Sequence, residues 1–202
     1  MERKNLQGML VDAYINFIPL IALNVIWFLL SLLLVTIPPA LFGLHYAVNR
    51  LVHQRDADWR VLLEGVRLHF WRSWRWGLAN LIVLPLLAVN IFFYSFEETL
   101  WAVPARLITI GLLVTWMCIQ IYVIPLVMEQ RDQRLRVAFR NAFVICLKRP
   151  FYTLGYLLLF AIIIAFSVIV GPSWVFITVS LCAYIANRAT INSIARLTAQ
   201  RP

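Results

Sequence analysis

Three histidines and a handful of amides are the side chains in this sequence with the chemistry to bind or move something inside an apolar interior. His45 stands beside Tyr46 in the run HYAVNR, at the end of a stretch from Ala13 to Asn49 that contains no Asp, Glu, Lys or Arg. Histidine changes charge near neutral pH, and an ionisable group at membrane depth is the default mark of a proton or ion path. A lone histidine near a helix end also serves as a hydrogen-bonding or interfacial residue, and no carboxylate accompanies it in any apolar run. His53 and His69 have no ligand spacing to one another or to Cys118, Cys146 and Cys182, which stand singly without a C-x-x-C pair. No metal site, disulfide framework or cofactor is therefore expected.

The amides are Asn24, Asn80, Asn90, Gln120 and Asn187, with Ser31, Thr115 and Ser167 as hydroxyl companions. Such groups in lipid hydrogen-bond between helices, each contributing on the order of 0.6 kcal/mol. Asn80, Asn90 and Gln120 would alternatively line a polar cavity, since amides and tryptophans together suit hydroxylated solutes. No G-x-S-x-G, H-E-x-x-H, Walker or Rossmann glycine pattern occurs, and no nucleophile stands with a base. An enzyme is not expected.

The elements that carry these residues are apolar. Of the 202 residues, 62% are hydrophobic and 13% charged, against roughly a quarter charged in soluble domains. Charge-free runs cover Ala13 to Asn49, Gly77 to Phe96, Leu107 to Met128 and Pro150 to Asn187, each long enough for one crossing of about 20 residues. The first and last have room for two. The first run is too long for a signal-peptide core and no small-residue cleavage pattern follows it, so a cleaved leader is not expected. The opening segment MERKNLQGMLVDAYINF places Leu6, Met9, Leu10, Ala13 and Phe17 at helical spacing, as in a helix lying on the membrane.

Threaded this way, the spans are Ile18 to Ile37, a short one from Pro38 to Val52, Gly77 to Phe96, Leu107 to Met128, Phe151 to Val170, and Trp174 to about Ile191. Pro38-Pro39 is expected to break the first, and Arg188 to sit in the last turn of the sixth. Pro85 and Pro125 read as kinks tolerated inside spans. All Lys and Arg except Arg106 then fall on one side, as cytoplasmic loops require. The expected fold is all-α: one transmembrane domain over residues 1–202, a polytopic bundle of about six spans with amphipathic cytoplasmic helices, in the cell membrane with both termini cytoplasmic. If Pro38 to Val52 only dips in and returns, the count is five.

Between these spans lies HQRDADWRVLLEGVRLHFWRSWRWG, with five arginines and four tryptophans in 25 residues. On a helical wheel Trp59, Leu62, Leu63, Val66, Phe70 and Trp74 share one face, and Arg60, Glu64, Arg67 and Arg75 the other, with Trp71 on the arginine side. This is the pattern of a helix at headgroup level, its arginines meeting anionic lipid and its indoles at the polar boundary. The net charge of +9 would suggest nucleic acid on a soluble protein, but these residues lead straight into a span. The candidate lipid- or partner-binding residues are Trp59, Arg60, Arg67, Trp71, Arg72, Trp74 and Arg75, with Arg136 and Arg140 of the second loop. That loop echoes the first: QRDADWRV (Gln54 to Val61) aligns with QRDQRLRV (Gln130 to Val137) at an offset of 76, which also places Tyr46 on Tyr122 and Arg72 on Lys148. An internal parallel repeat over 38–94 and 114–170 would explain it.

The succession of an apolar helix, the break IPPALFGLHYAVNRLV, the loop DADWRVLLEGVRLHFWRSWRWG and a following span resembles the YesL family of small bacterial membrane proteins of unknown function. The resemblance implies a polytopic protein of the bacterial cytoplasmic membrane, with some family members encoded beside carbohydrate importers, and it carries over no catalytic residue. The expected role is a non-enzymatic accessory or scaffold component associated with a carbohydrate ABC importer. Its partners would be anionic headgroups and a membrane protein such as an importer permease, and the sequence leaves a homo-oligomer open. The alternative is a small transporter or channel for a polar solute.

Overall fold

The structure, a computed structural model, describes residues 17–97, 99–171 and 173–199. The surface helix expected around Leu6 to Ala13 lies outside the described residues. Among the described residues the chain is helical, without strands: α1 (Phe17–Ser31), α2 (Ile37–Val52), α3 (Trp59–Phe96), α4 (Ala102–Glu129), α5 (Leu135–Lys148), α6 (Pro150–Val170) and α7 (Val179–Ala199). A 3-10 turn at Leu34–Thr36 precedes α2, and a π-helical turn at Trp174–Thr178 precedes α7.

Four stretches are long and apolar enough to cross a membrane: α3, α4, α6 and Trp174–Ala199. The other two of the six expected spans are shorter helices. α1 has 15 residues and α2 has 16, so each reaches only about 24 Å or less, against roughly 30 Å of hydrocarbon. α1 stops at Ser31, before the expected Ile37. The chain there turns through the 3-10 segment, where the Thr36 hydroxyl donates to the carbonyls of Leu33 (2.7 Å) and Leu30. Pro38 and Pro39 do not end a helix but open one. In the first turn of α2 the missing amide has no helical acceptor to lose.

α2 is the most enclosed helix of the bundle. It packs against α1, α3, α4 and α7, and Phe42, Leu44, Ala47 and Val48 are fully buried. Its closest neighbour is α3, and two glycines allow the approach. A Cβ on Gly43 would lie 2.6 Å from the Leu62 carbonyl oxygen, and one on Gly65 2.7 Å from Tyr46 Cβ. Small residues at such a crossing bring backbones together and replace hydrophobic drive with dispersion contact, as membrane helices require.

This contact sets which face of α3 is inside, and it is not the wheel's aromatic face. The buried positions are Leu62, Gly65, His69 and Ser73, a stripe of mostly small or polar side chains. Trp59 and Phe70 are exposed, and Leu62 alone of the six wheel residues is fully buried. Large rings do not fit where two backbones nearly touch. The stretch also does not lie as a separate surface helix. It is the first part of one 38-residue helix, about 57 Å long, that continues through Pro85, as α4 continues through Pro125. Asp58 starts it, its Oδ1 accepting from the Arg60 and Val61 amides, both at 3.1 Å.

α3 begins at Trp59 and α5 at Leu135, and the pairs Leu62/Ala138, His69/Ile145, Ala47/Val123 and Leu51/Val127 are buried at both members. The two segments differ where Pro150 falls. It separates α5 from α6, because proline's ring disfavours a helical residue before it, whereas α3 runs on unbroken.

At the far end α6 closes on Gly171, whose positive φ of 64° glycine adopts without a Cβ clash. The π-helical turn that follows leaves carbonyls off the regular ladder, and buried Asn24 of α1 takes them up. Its Nδ2 donates to the carbonyls of Trp174 (3.0 Å) and Val175 (2.7 Å), and its Oδ1 accepts from the Ser180 amide (2.8 Å). α7 then extends to Ala199, which places Arg188 mid-helix and not in a last turn near Ile191.

The glycine contact yields a contrast. Gly43→Ala and Gly65→Ala should each destabilise the protein by 1 kcal/mol or more, roughly the cost of overpacking. Gly111→Ala and Gly155→Ala, with nothing within 4 Å of the added Cβ, should be neutral or stabilising by up to about 1 kcal/mol through helix propensity. Unfolding in SDS-containing mixed micelles measures all four, and equal effects across them would contradict the close crossing.

Candidate functional site

The expected surface residues divide into two groups. Trp59, Arg60, Arg67, Trp71 and Arg75 on α3, and Arg136 and Arg140 on α5, are exposed. The Arg60 guanidinium lies 5.3 Å over the Trp59 ring, and Trp71 is 75% exposed with its ring edge-on to Phe70 at 5.6 Å. Trp59, Arg60, Leu63, Glu64, Arg67 and Leu68 line a recess of about 400 Å³ on this face. Arg136 and Arg140, four residues apart, share one face of α5. Trp74 is half-buried, and Arg72 turns inward. Its Nη1 donates to Gln133 Oε1 at 2.7 Å and lies 3.1 Å from His69 Nδ1, tying α3 to the segment after α4.

His69, which reads from sequence as a loop residue, is 1% exposed, with its ring centroid 6.2 Å from Phe42 and 5.9 Å from Tyr46. The fold places it against α2, between Phe42 and Tyr46.

The amides proposed for a polar cavity each make a hydrogen bond, and Gln120 Nε2 alone of their groups is a buried donor without an acceptor among the described residues. Gln120 Oε1 accepts from the Trp76 indole at 2.7 Å, and Asn80 Oδ1 accepts from the Trp116 indole at 3.0 Å while its Nδ2 donates to the Trp76 carbonyl at 3.0 Å. These bonds clamp α3 to α4. Asn90 donates to the Leu86 carbonyl of its own helix at 2.7 Å. An indole N–H in lipid has no water to satisfy it, so pairing it with an amide oxygen removes a cost of several kcal/mol.

A second polar cluster joins α2, α4 and α7. Asn49 Nδ2 donates to Glu129 Oε1 at 2.6 Å and to Asn187 Oδ1 at 3.2 Å. Asn187 Nδ2 donates to the Ala183 carbonyl at 2.8 Å and lies 3.2 Å from His45 Nδ1. His53 Nε2 lies 2.8 Å from Glu129 Oε1, and these two residues are 76 apart, the offset of the repeated loops. Glu129 and Asn49 go unnoticed in the sequence because each stands at the end of an apolar run, where polar residues ordinarily face water. Only the meeting of α2 with α4, far apart in the chain, makes them a half-buried pair.

Comparison with known protein families, curated proteins and solved structures returned no match. The site must therefore be read from its own chemistry. Among the described residues no group of three His, Cys, Asp or Glu could hold a metal ion. The three cysteines are free thiols, and burial, followed by the influence of Cys118, pushes Cys146 of α5 up to about 12, far from a nucleophilic thiolate at neutral pH.

If the α3–α4 clamps are structural, Gln120→Ala and Asn80→Ala should each lower stability by about 0.6–1.7 kcal/mol in mixed-micelle unfolding. Asn90→Ala, which loses only a bond within its own helix, should stay within error. A larger loss at Asn90 than at Gln120 would overturn this assignment.

Proposed function

We propose that this is a non-enzymatic integral membrane protein that serves as an accessory or scaffold component, contacting anionic lipid and a membrane-protein partner through the outer faces of α3 and α5. One observation carries the reading: the intramembrane amides Asn24, Asn80, Gln120 and Asn187 each make a bond between elements of the bundle, while Trp59, Arg60, Arg67, Trp71, Arg75, Arg136 and Arg140 are exposed. A permease of a carbohydrate ABC importer is the proposed partner, on the strength of the YesL-like residues alone. The distribution of basic residues supports a cytoplasmic position for the segments 53–58 and 130–134. If α1 and α2 cross as two of six spans, both termini are cytoplasmic; if α2 only dips in and returns, there are five crossings and Arg3 and Lys4 sit outside.

The second reading, a small transporter or channel for a polar solute, draws on the cluster His45, Asn49, Glu129 and Asn187 inside the bundle. It predicts flux in reconstituted vesicles that Asn49→Ala reduces.

The test of the leading reading is co-purification from native membranes in mild detergent. A partner recovered at comparable stoichiometry should fall by tenfold or more when Arg60, Arg67, Arg136 and Arg140 are all changed to Gln, since each basic residue at a membrane surface contributes about 1 kcal/mol. Yield and monodispersity should be unchanged. Undiminished recovery of the partner, or none from the parent protein, would count against it.

A further inference from the structure

A groove of about 330 Å³ lies where α4, the end of α5 and the start of α6 meet. Its walls are Val114 and Thr115 of α4, Phe143 and Leu147 of α5, and Leu154 of α6, together with buried Cys118 and half-buried Cys146. Local structure explains the opening. Pro150 separates α5 from α6, and Arg149 between them leaves helical geometry (φ −139°, ψ 56°), so the chain bends there. One turn before Phe143, Phe139 holds α5 to α4 by stacking on Trp116, with ring centroids 5.6 Å apart. α4 and α6 meet at Tyr122 and Thr153, whose hydroxyls lie 3.1 Å apart. Past that contact both helices stand uncrowded: a Cβ added at Gly111 or Gly155 would meet nothing within 4 Å.

The groove offers a polar solute little. Thr115 Oγ1 donates to the Gly111 carbonyl at 2.8 Å and Thr153 Oγ1 to the Arg149 carbonyl at 3.0 Å, and a thiol is a weak donor and acceptor. What remains is apolar wall, on two helices that are long and apolar enough to cross a membrane. The occupant that this surface suits is an acyl chain.

α5 adds the complement to a charged headgroup. Arg136, Arg140, Phe143 and Leu147 follow one another at four, three and four residues, so they share one face, and all four are exposed. That face is basic over its first half and apolar over its second, where it becomes the groove wall, and Arg140 stands about 10 Å along the axis from Leu147. Two guanidinium forks one turn apart match the oxygens of a phosphate. The cations at the other end of α5 are placed elsewhere: Lys148 lines a separate recess with Glu129, and the Arg149 guanidinium lies 4.6 Å over the Tyr152 ring. Charge at one end and an apolar groove at the other accept an anionic amphiphile in a single orientation.

We propose that this is a phospholipid site, with the phosphate of an anionic glycerophospholipid on Arg136 and Arg140 and one of its acyl chains in the groove between α4, α5 and α6. The site rests on the proposed function's assignment of α5 to anionic lipid and deepens it. A seat for the chain turns a surface contact into a resident lipid.

The full-length protein would be reconstituted in phosphatidylcholine doped with phosphatidylglycerol, extracted in neutral detergent, and its retained lipids counted by native mass spectrometry. Phosphatidylglycerol should be retained in preference to phosphatidylcholine. Thr115→Phe, which fills the groove, should lower that retention roughly tenfold, as excluding about two methylenes would. R136Q/R140Q should lower it by a similar factor, the loss expected for charged hydrogen bonds, and remove the preference over phosphatidylcholine. Leu86→Phe, at an exposed position of α3, should retain lipid as the parent does. Retention unchanged in Thr115→Phe, or equal for the two lipids in the parent, overturns the proposal. Should Thr115→Phe elute as an aggregate, phosphatidylglycerol with a photoreactive acyl chain decides on the unaltered protein: labelling concentrated at residues 114–118 and 143–154 supports the site, and labelling spread evenly along α3, α4 and α6 overturns it. Absence of a co-purified partner would count against the accessory role and leave the lipid result standing, whereas an unaffected Thr115→Phe would remove this site and leave that role.

Discussion

The backbone crossing of α2 and α3 at Gly43 and Gly65 is the contact on which the rest of the bundle is arranged. Lipid offers apolar helices no hydrophobic reason to leave it, so association depends on close packing and on satisfying polar groups. Two facing glycines provide the close packing. With α2 held that near, the side of α3 that can face it is limited to Leu62, Gly65, His69 and Ser73. Trp59, Arg60, Arg67, Trp71 and Arg75 of the same helix are left on the outside. The surface chemistry proposed for function is thus a consequence of an interior contact that excludes bulk.

The polar groups follow from the same setting. Four amides meet groups that the fold would otherwise leave unpaired: an indole for each of Gln120 and Asn80, the carbonyls of a π-helical turn for Asn24, and a carboxylate for Asn49. These pairings join α3 to α4, α1 to the start of α7, and α2 to α4. Trp27 Nε1, Arg50 Nε and Gln120 Nε2 depart from this pattern as buried donors without an acceptor among the described residues.

Much of the layout was legible in the sequence. The charge-free runs located the apolar parts of α3, α4, α6 and α7, and the QRD loops located the starts of α3 and α5 at equivalent positions. The wheel separated α3's arginines from its rings but did not find the buried face. Periodicity weighs large apolar residues, whereas that face is built around a glycine and a serine. The prolines at 38 and 39 misled because a proline pair marks a helix start as readily as a stop, and the deciding feature is the bonding of Thr36 to the residues before it. The partners of Asn24 and Glu129 could not be read at all. They lie 150 and 80 residues away, and no local pattern encodes a contact between helices so distant in the chain.

The central claim is that α2 is an enclosed helix while the apolar window of α3 is uncovered by the rest of the chain. Its most direct test is a spin-label accessibility scan across residues 37–52 and 78–95 in lipid nanodiscs, with dissolved oxygen reporting contact with the acyl chains. Low oxygen accessibility at successive positions of α2, from Phe42 to Val48, together with high accessibility around most of the 78–95 helix, is the predicted result. A lipid-exposed stripe recurring every three to four residues along α2 would contradict it, for α2 would then be an ordinary lipid-facing span and not the helix on which the bundle is built.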